Sequence, residues 1–361
     1  MALSKYKLGE LIKQRREKYD GSEELPIRGV AREGFISPKQ DGAELSIYNV
    51  YYLNDFVFNP ARMELNSIAL NMFWNKAICS SLYEIFYVIR TDLLLPEYLN
   101  LFIKRDEFAR KCWFEAVGSA RNYFRVADLS EFNIELPDLP TQQKYVDIYN
   151  AMVANQQAYE RGLDDLKTVF TSYIEELRRN DPVFPIGDYI TLYNEKNGDG
   201  AIALEQGINI NKEFISPQRS NSNLQGRKIV RHGQFAYCTQ LNNANVAIAY
   251  RSGKDCVVSS VYDVFEITQK DKLIPEYLLM WLIRPEFGRY VYWASEGSAY
   301  EFLNYNNLAS YKIPIPNIEV QRAIAEIYTV YNKRKKINEQ LKAQIKNICP
   351  ILIKGSLEEG K

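Results

Sequence analysis

The hydrophobic pattern of the chain switches from short aromatic-rich runs to a long stretch with a helical period, and it does so twice. Tyr48–Phe58 and Tyr83–Ile89 are rich in Tyr, Val, Ile and Phe, which predicts strands. Leu94–Phe108 opens with a proline near its first turn and carries Leu, Tyr and Phe at helical spacing, which predicts a helix. Gln142–Arg179 then runs without proline, and its only glycine is Gly162. Its apolar residues Ile148, Met152, Tyr159, Leu163, Leu166, Phe170, Tyr173 and Leu177 predict a coiled-coil seam. The second half repeats this order. Phe235–Cys238, Val246–Tyr250 and Tyr262–Ile267 read as strands and Ile274–Phe287 as a helix. A long helix follows from about Glu319 to Pro350, with a seam of Ile324, Ile327, Tyr331, Leu341, Ile345 and Ile348. Both seams turn polar in the middle, near Asn155 and Gln156 and near Arg334 and Asn338. A helix of about 35 residues spans roughly 50 Å, so two of them could pair and hold globular parts apart.

The recurrence is literal in places. Phe35-Ile36-Ser37-Pro38 returns as Phe214-Ile215-Ser216-Pro217, an offset of 179. The same offset relates Ser80-Ser81-Leu82-Tyr83 to Ser259-Ser260-Val261-Tyr262 and Pro96-Glu97-Tyr98-Leu99 to Pro275-Glu276-Tyr277-Leu278. It also relates Gly118-Ser119-Ala120 to Gly297-Ser298-Ala299, Pro137 to Pro316 and Gln142 to Gln321. Near the start the offset is 178, where Leu8-Gly9-Glu10 matches Ile186-Gly187-Asp188. Residues 1–180 and 181–361 are therefore two copies of one module.

Composition narrows what the module can do. Hydrophobic residues make up 46 % and charged residues 25 % of 361, an ordinary globular balance. No run approaches the roughly 20 apolar residues of a membrane helix, and no apolar signal core opens the chain, which predicts a cytoplasmic protein with no membrane partner. Lys plus Arg equals Asp plus Glu at 45 each, which counts mildly against a nucleic-acid binder. Cys79, Cys112, Cys238, Cys256 and Cys349 form no CxxC pair and read as reduced core thiols. His232 is the sole histidine, so histidine-based triads and His-rich metal sites are nearly excluded. There is no GxxxxGK[ST] and no GxGxxG. Glu359-Gly360-Lys361 has the local spacing of a metal-nuclease site, but it reads as a solvated tail. Asn59-Pro60-Ala61-Arg62 lacks the aromatic with which amino-methyltransferases stack a flipped base. No catalytic residue and no metal site is expected.

In order along the chain, these motifs resemble the specificity subunit of Type I restriction–modification systems. The opening Leu8-Gly9-Glu10 and Ile186-Gly187-Asp188, the Gly-Ser loops, and the lead-ins Leu136-Pro137-Asp138-Leu139-Pro140-Thr141-Gln142 and Ile315-Pro316-Asn317-Ile318-Glu319-Val320-Gln321 carry the likeness. Asn59-Pro60-Ala61-Arg62 resembles a loop common in such recognition domains. Departures are Tyr6 and Phe184 where that family often has Trp, and Thr239-Gln240-Leu241-Asn242-Asn243 in place of the Asn-Pro-Ala-Arg loop. The resemblance implies an α+β fold: two repeated mixed α/β target-recognition domains separated by two long antiparallel coiled-coil helices with pseudo-twofold symmetry. The blocks would be recognition domain 1 at 1–137, spacer helix 1 at 138–181, recognition domain 2 at 182–316 and spacer helix 2 at 317–361. The chain would not be an enzyme. It would give double-stranded DNA specificity to two methyltransferase subunits and, through the complex, to restriction subunits. S-adenosylmethionine, ATP and Mg would sit on those partners, with no cofactor in this chain.

A reader of DNA positions itself on phosphates and specifies through base edges, where Arg suits guanine and Asn or Gln suits adenine. In the first copy the candidates are Asn59, Arg62, Ser119, Arg121, Asn122 and Arg125, with Arg32 and Lys39 for phosphate. In the second they are Gln240, Asn242, Asn243, Asn245, Ser298 and Tyr300, with Arg219, Lys228 and Arg231 for phosphate. Tyr145, Tyr149, Tyr159 and Tyr328 are candidate docking residues for the methyltransferase on the helices. The alternative is a non-DNA coiled-coil scaffold with two aromatic-rich binding domains, which the neutral charge favours.

Overall fold

The computed structural model describes residues 3–38, 44–116, 123–217, 223–241, 246–295 and 302–361. They form two compact units, one of Met1–Tyr159 with Ile337–Lys361 and the other of Glu160–Lys336. Each unit thus takes one mixed α/β domain and a part of both long helices, so compactness groups the helices differently from the four sequence blocks.

In the first unit the strands are β1 (Ser4–Lys7), β2 (Ile12–Arg15), β3 (Gly29–Ala31), β4 (Gly34–Ile36), β5 (Asn49–Tyr52), β6 (Phe56–Phe58), β7 (Ile68–Leu70), β8 (Lys76–Cys79), β9 (Glu84–Val88) and β10 (Asn133–Leu136). The helices are α1 (Pro96–Ile103), α2 (Asp106–Ala116), α3 (Val126–Ser130) and α4 (Leu139–Asn180), the last 42 residues long and shared with the second unit. The central antiparallel sheet has the order β2-β9-β6-β7, and the pairs β1/β10, β3/β4 and β5/β8 flank it. One face of the sheet packs Phe56, Phe58 and Phe86 onto Tyr98, Leu99 and Phe108 of the helices. The opposite face packs Val57, Ala69 and Ile85 beneath Val30, Tyr51 and Ala77. A sheet covered on both sides explains why its strands read as continuous apolar runs and not as alternating ones.

The second unit repeats this with β11 (Val183–Pro185), β12 (Ile190–Tyr193), β13 (Gly207–Ile208), β14 (Phe214–Ile215), β15 (Lys228–Val230), β16 (Phe235–Cys238), β17 (Ile248–Tyr250), β18 (Cys256–Val258), β19 (Tyr262–Ile267) and β20 (Lys312–Pro314). Its helices are α5 (Pro275–Leu282), α6 (Pro285–Ser295), α7 (Tyr305–Ala309) and α8 (Ile318–Glu359). The sheet order β12-β19-β16-β17 is the same. So is the stacked pair at its centre, Phe56 on Phe86 at 4.8 Å and Phe235 on Phe265 at 4.9 Å. The opening Gly element repeats for a steric reason. A Cβ on Gly9 would lie 3.0 Å from the Cβ of Ser130, and one on Gly187 would lie 2.8 Å from that of Ala309. The neighbouring N–H of Leu8 donates to Phe132 O at 2.8 Å, and that of Ile186 to Tyr311 O at 2.9 Å.

Several expectations from the sequence change here. The single helices expected at Leu94–Phe108 and Ile274–Phe287 are each two helices. In the second copy Pro285 starts the new helix, because a proline lacks the N–H that would continue the old one. Helix α8 does not stop at Pro350 but runs through it to Glu359. Its continuation is held by burial: Cys349, Leu352 and Ile353 all lie in the first unit's core. The tail is no solvated end. Glu359 accepts hydrogen bonds from Lys144 Nζ at 2.7 and 2.8 Å and from Tyr145 Oη at 3.1 Å, and Gly360 is buried against Leu3 and Pro137. The expected seam of α4 is also rotated. Ile148 and Tyr173 are exposed, whereas Val146 and Ile174 are buried. The helix ends pack into the domain cores, and those cores, not a bare two-helix seam, select the buried face. Within each unit the two long helices run antiparallel. In the first, Tyr145 meets Glu359 and Gln156 Nε2 donates to Asn338 Oδ1 at 3.0 Å. In the second, the Phe170 and Tyr328 rings pack at a tilt, with centroids 5.3 Å apart.

Candidate nucleic-acid interface

In the first unit the candidate reading loop leaves β6 as a short 3-10 segment, Pro60–Leu65. Asn59 caps it, its Oδ1 accepting the N–H of Ala61 at 3.0 Å, and Pro60 supplies a first residue that needs no N–H partner. Asn66, at φ +55, ends it in the left-handed conformation that Asn tolerates. Asn59 is therefore engaged in holding the loop, and the exposed side chain of Arg62 is the one left facing outward. The N–H of Phe124 donates to Pro60 O at 2.9 Å, which brings the loop beside Arg125.

The second unit holds its own loop by the same bond one offset later, Leu303 N–H to Thr239 O at 2.8 Å. Here Thr239 also has an N–H, which donates to Val261 O at 2.9 Å, a bond Pro60 cannot make. Gln240 bridges to Phe302 as an isolated β-pair. The loop is one residue longer than in the first unit, since Phe56 pairs with Leu70 but Phe235 with Tyr250. Lys39, Ser119, Arg121, Asn122, Arg219, Asn242, Asn243, Asn245, Ser298 and Tyr300 lie outside the described residues.

The basic candidates differ in availability. Arg32 is exposed on the β3–β4 turn, where Gly34 at φ +110 supplies a backbone that other residues rarely adopt. It lines a groove of about 930 Å³ in the first unit together with Arg28, Trp74, Lys104, Tyr149 and Lys346. Arg28 lies over the Trp74 ring at 5.4 Å, and Lys104 Nζ donates to Tyr149 Oη at 2.8 Å. Arg32 and Tyr149, to which the sequence assigns different roles, thus share one groove. In the second unit the charges are already matched. Lys228 Nζ lies 2.5 Å from Asp263, and Arg231 is bonded to both Glu195 and Asp255. Hydrogen bonds from Arg231 hold both of those carboxyls below the usual carboxylate range. Both cations are thus already paired with internal carboxylates.

Among the tyrosines on the long helices, Tyr328 is packed against Phe170 and the second core, and Tyr145 is bonded to Glu359. Tyr159 is partly exposed. The sequence reading missed two aromatic pairs at one offset. Trp113 and Phe114 on α2 are 54 % and 72 % exposed, and Tyr292 and Trp293 on α6 are 44 % and 68 % exposed. The repeat itself was the signal that could have found them. No cluster of His, Cys, Asp and Glu able to hold a metal occurs among the described residues, and no described helix is long and apolar enough to cross a membrane.

Comparison with known proteins agrees with this geometry. Residues 176–347 match the family model of the Type I restriction modification DNA specificity domain. The S subunit of a Type-I restriction-modification system from M. genitalium aligns over 99 % of this chain and 96 % of its own, at 11 % identity and a TM-score of 0.60, which shows a common fold. The HsdS subunit from Thermoanaerobacter tengcongensis aligns over 100 % of this chain and 97 % of its own, at 16 % identity and a TM-score of 0.48. No curated protein matches the sequence. Residues 176–347 thus carry the Type I restriction modification DNA specificity domain, and the first half of the chain repeats the same motifs in the same order.

Proposed function

We propose that the chain reads a bipartite, gapped site on double-stranded DNA, one half-site per unit. The observation that supports this reading is the shared clasp: Phe124 to Pro60 and Leu303 to Thr239 hold two loops of different sequence at the same place in the same frame. Two different half-sites on one duplex require such an arrangement, a constant frame on the phosphates and a variable loop at the base edges. Arg62, Arg125 and Gln240 are the described residues that carry the reading, and Asn59 holds its loop. The chain directs two methyltransferase subunits that modify adenine with S-adenosylmethionine, and restriction subunits that cleave with ATP and Mg. Tyr149 and Tyr159 serve docking of the methyltransferase, and the complex works in the cytoplasm.

A methylome of cells with and without this chain, beside an active partner methyltransferase, tests the proposal. A gapped motif that vanishes on deletion is expected, and an unchanged methylome overturns it. Arg62→Ala should then relax one half-site by about 1–3 kcal/mol of base discrimination and leave the other intact. The complex should also lose affinity steeply with salt, as phosphate contacts require.

A further inference from the structure

Gln142 and Gln321 lie one turn inside the long helices and are fully buried, at 0 % exposure each. They make the same three bonds. Gln142 Oε1 accepts the N–H of Leu95 at 3.0 Å, and its Nε2 donates to Leu93 O at 2.8 Å and Pro137 O at 2.9 Å. Gln321 Oε1 accepts the N–H of Ile274 at 3.1 Å, and its Nε2 donates to Lys272 O at 2.7 Å and Pro316 O at 2.8 Å. Every partner of the second set is the first shifted by 179. All six bonds go to backbone groups, so they fix chain path and not side-chain packing. The chemistry admits glutamine and little else. One acceptor and two donors on a planar head are needed, and a glutamate would turn its oxygens onto two carbonyls. Each amide therefore ties three points together: the start of the long helix, the end of the strand before it, and the segment that leads into α1 or α5.

We propose that Gln142 and Gln321 are positioning residues that set the angle between each recognition domain and its long helix, and so fix the gap between the half-sites. This rests on the reading of a bipartite DNA site. From Gln142 to the edge of the first unit at Tyr159 the helix runs about 26 Å at ~1.5 Å per residue. A tilt of ~10° at the joint moves that end by about 4.5 Å, more than the ~3.4 Å between successive base pairs. A loose joint thus admits gaps one base pair too long or too short, while the loops go on reading the same bases.

The experiment uses the full chain assembled with its methyltransferase partner and the half-sites found in the methylome. Methylation is measured on duplexes with the native gap and with gaps one and two base pairs longer or shorter. Wild type should prefer one gap. Gln142→Met and Gln321→Met, which keep the shape and lose the bonds, should weaken that preference by roughly ten-fold with the half-site bases unchanged. Gln143→Ala, one position along on the exposed side of the helix, should leave it as it was. A folded, assembled Met variant with wild-type gap preference overturns the proposal. Should a Met variant fail to assemble, the joint is read in the chain alone. Spin labels at Leu82 and Asn155, both in the first unit, should give a broader distance distribution in Gln142→Met than in wild type. An unchanged width also overturns it. If wild type shows no gapped motif at all, the DNA reading falls, whereas a sharp motif kept by the variants sinks only the joint.

Discussion

At one buried position the two units differ in kind. The first places Asp55, 1 % exposed, where it accepts two hydrogen bonds from Arg15 at 2.6 and 3.1 Å and one from the N–H of Tyr52. The Arg15 guanidinium lies between the rings of Tyr52 and Tyr87 at 4.7 and 4.5 Å. The second unit has Gln234 there, 3 % exposed, accepting the N–H of Arg231 at 2.8 Å and donating to Glu266 at 3.0 Å. Burial pushes the Asp55 carboxyl up while Arg15 pulls it down. The frame needs an acceptor for a turn N–H at this point, and an ion pair or a neutral amide both provide it. Below this layer the units agree down to the stacked phenylalanines, and above it, at the β6–β7 and β16–β17 loops, they diverge.

If the shared core is as equivalent as its geometry, Phe86→Ala and Phe265→Ala should each destabilise their own unit by about 3–5 kcal/mol, the cost of an aromatic cavity. Hydrogen exchange resolved by unit is the measurement. A difference of more than about 1 kcal/mol between the two would mean that one copy relaxes around the cavity and that the equivalence is only geometric.

The polar layer should break the symmetry. Asp55→Ala strands the Arg15 guanidinium and should cost about 3 kcal/mol. Gln234→Ala removes a neutral amide and should cost about 1–2 kcal/mol. Equal losses in the two units, again by exchange, would show that Arg15 is rescued by solvent and that its pairing with Asp55 matters little.

Much of this frame was legible in the sequence because it is written twice. A residue needed for backbone geometry, such as Gly9, Pro137 or Gln142, recurs at its offset whatever surrounds it. What was not legible depended on long-range contact. Nothing local says that α8 continues past Pro350, since the reason is a core built from residues between Leu8 and Val146. The rotation of the buried face to Val146 and Ile174 has the same origin. The helix break before Asp106 has no local signal, and only Pro285 in the other copy marks it. For the candidate residues, residue type gave no structural roles. Asn59 proved to be a cap, and Arg231 proved to be neutralised by two acids.

Smaller in effect is the close approach that explains the opening glycines. Gly9→Ala and Gly187→Ala should each cost about 1–3 kcal/mol, because the added carbon meets α3 or α7 at overpacked distance. Gly187 should be the worse. Its Cβ would come within 2.8 Å of Ala309 Cβ and 3.1 Å of the Ala309 carbonyl, against 3.0 and 3.1 Å for Gly9 beside Ser130. Thermal denaturation of the two variants orders them, and the reverse order would mean that α7 shifts more readily than α3.

Least in size, and sharpest as a comparison, is the pair of caps on the long helices. Asp138 Oδ1 accepts the N–H of Thr141 at 3.0 Å, and Asn317 Oδ1 accepts that of Val320 at the same distance. The geometry is one, but only Asp138 carries charge, which also favours the positive end of the helix. Its hydrogen bonds with Thr141 hold its carboxyl below the ordinary value of 3.8. The sign follows from that direction. A carboxyl whose folded pKa is depressed stabilises above its unfolded pKa and loses that contribution as pH falls through the folded one. The cap of α4 should therefore weaken on acidification below pH 3.8, while the bond from Val320 to the neutral Asn317 cap of α8 should not depend on a carboxyl. Asp138→Asn should abolish the difference. Amide exchange in the two first turns, followed from neutral pH downward, measures it, and parallel profiles in the wild-type chain would mean that the caps are held by their shape and not by charge.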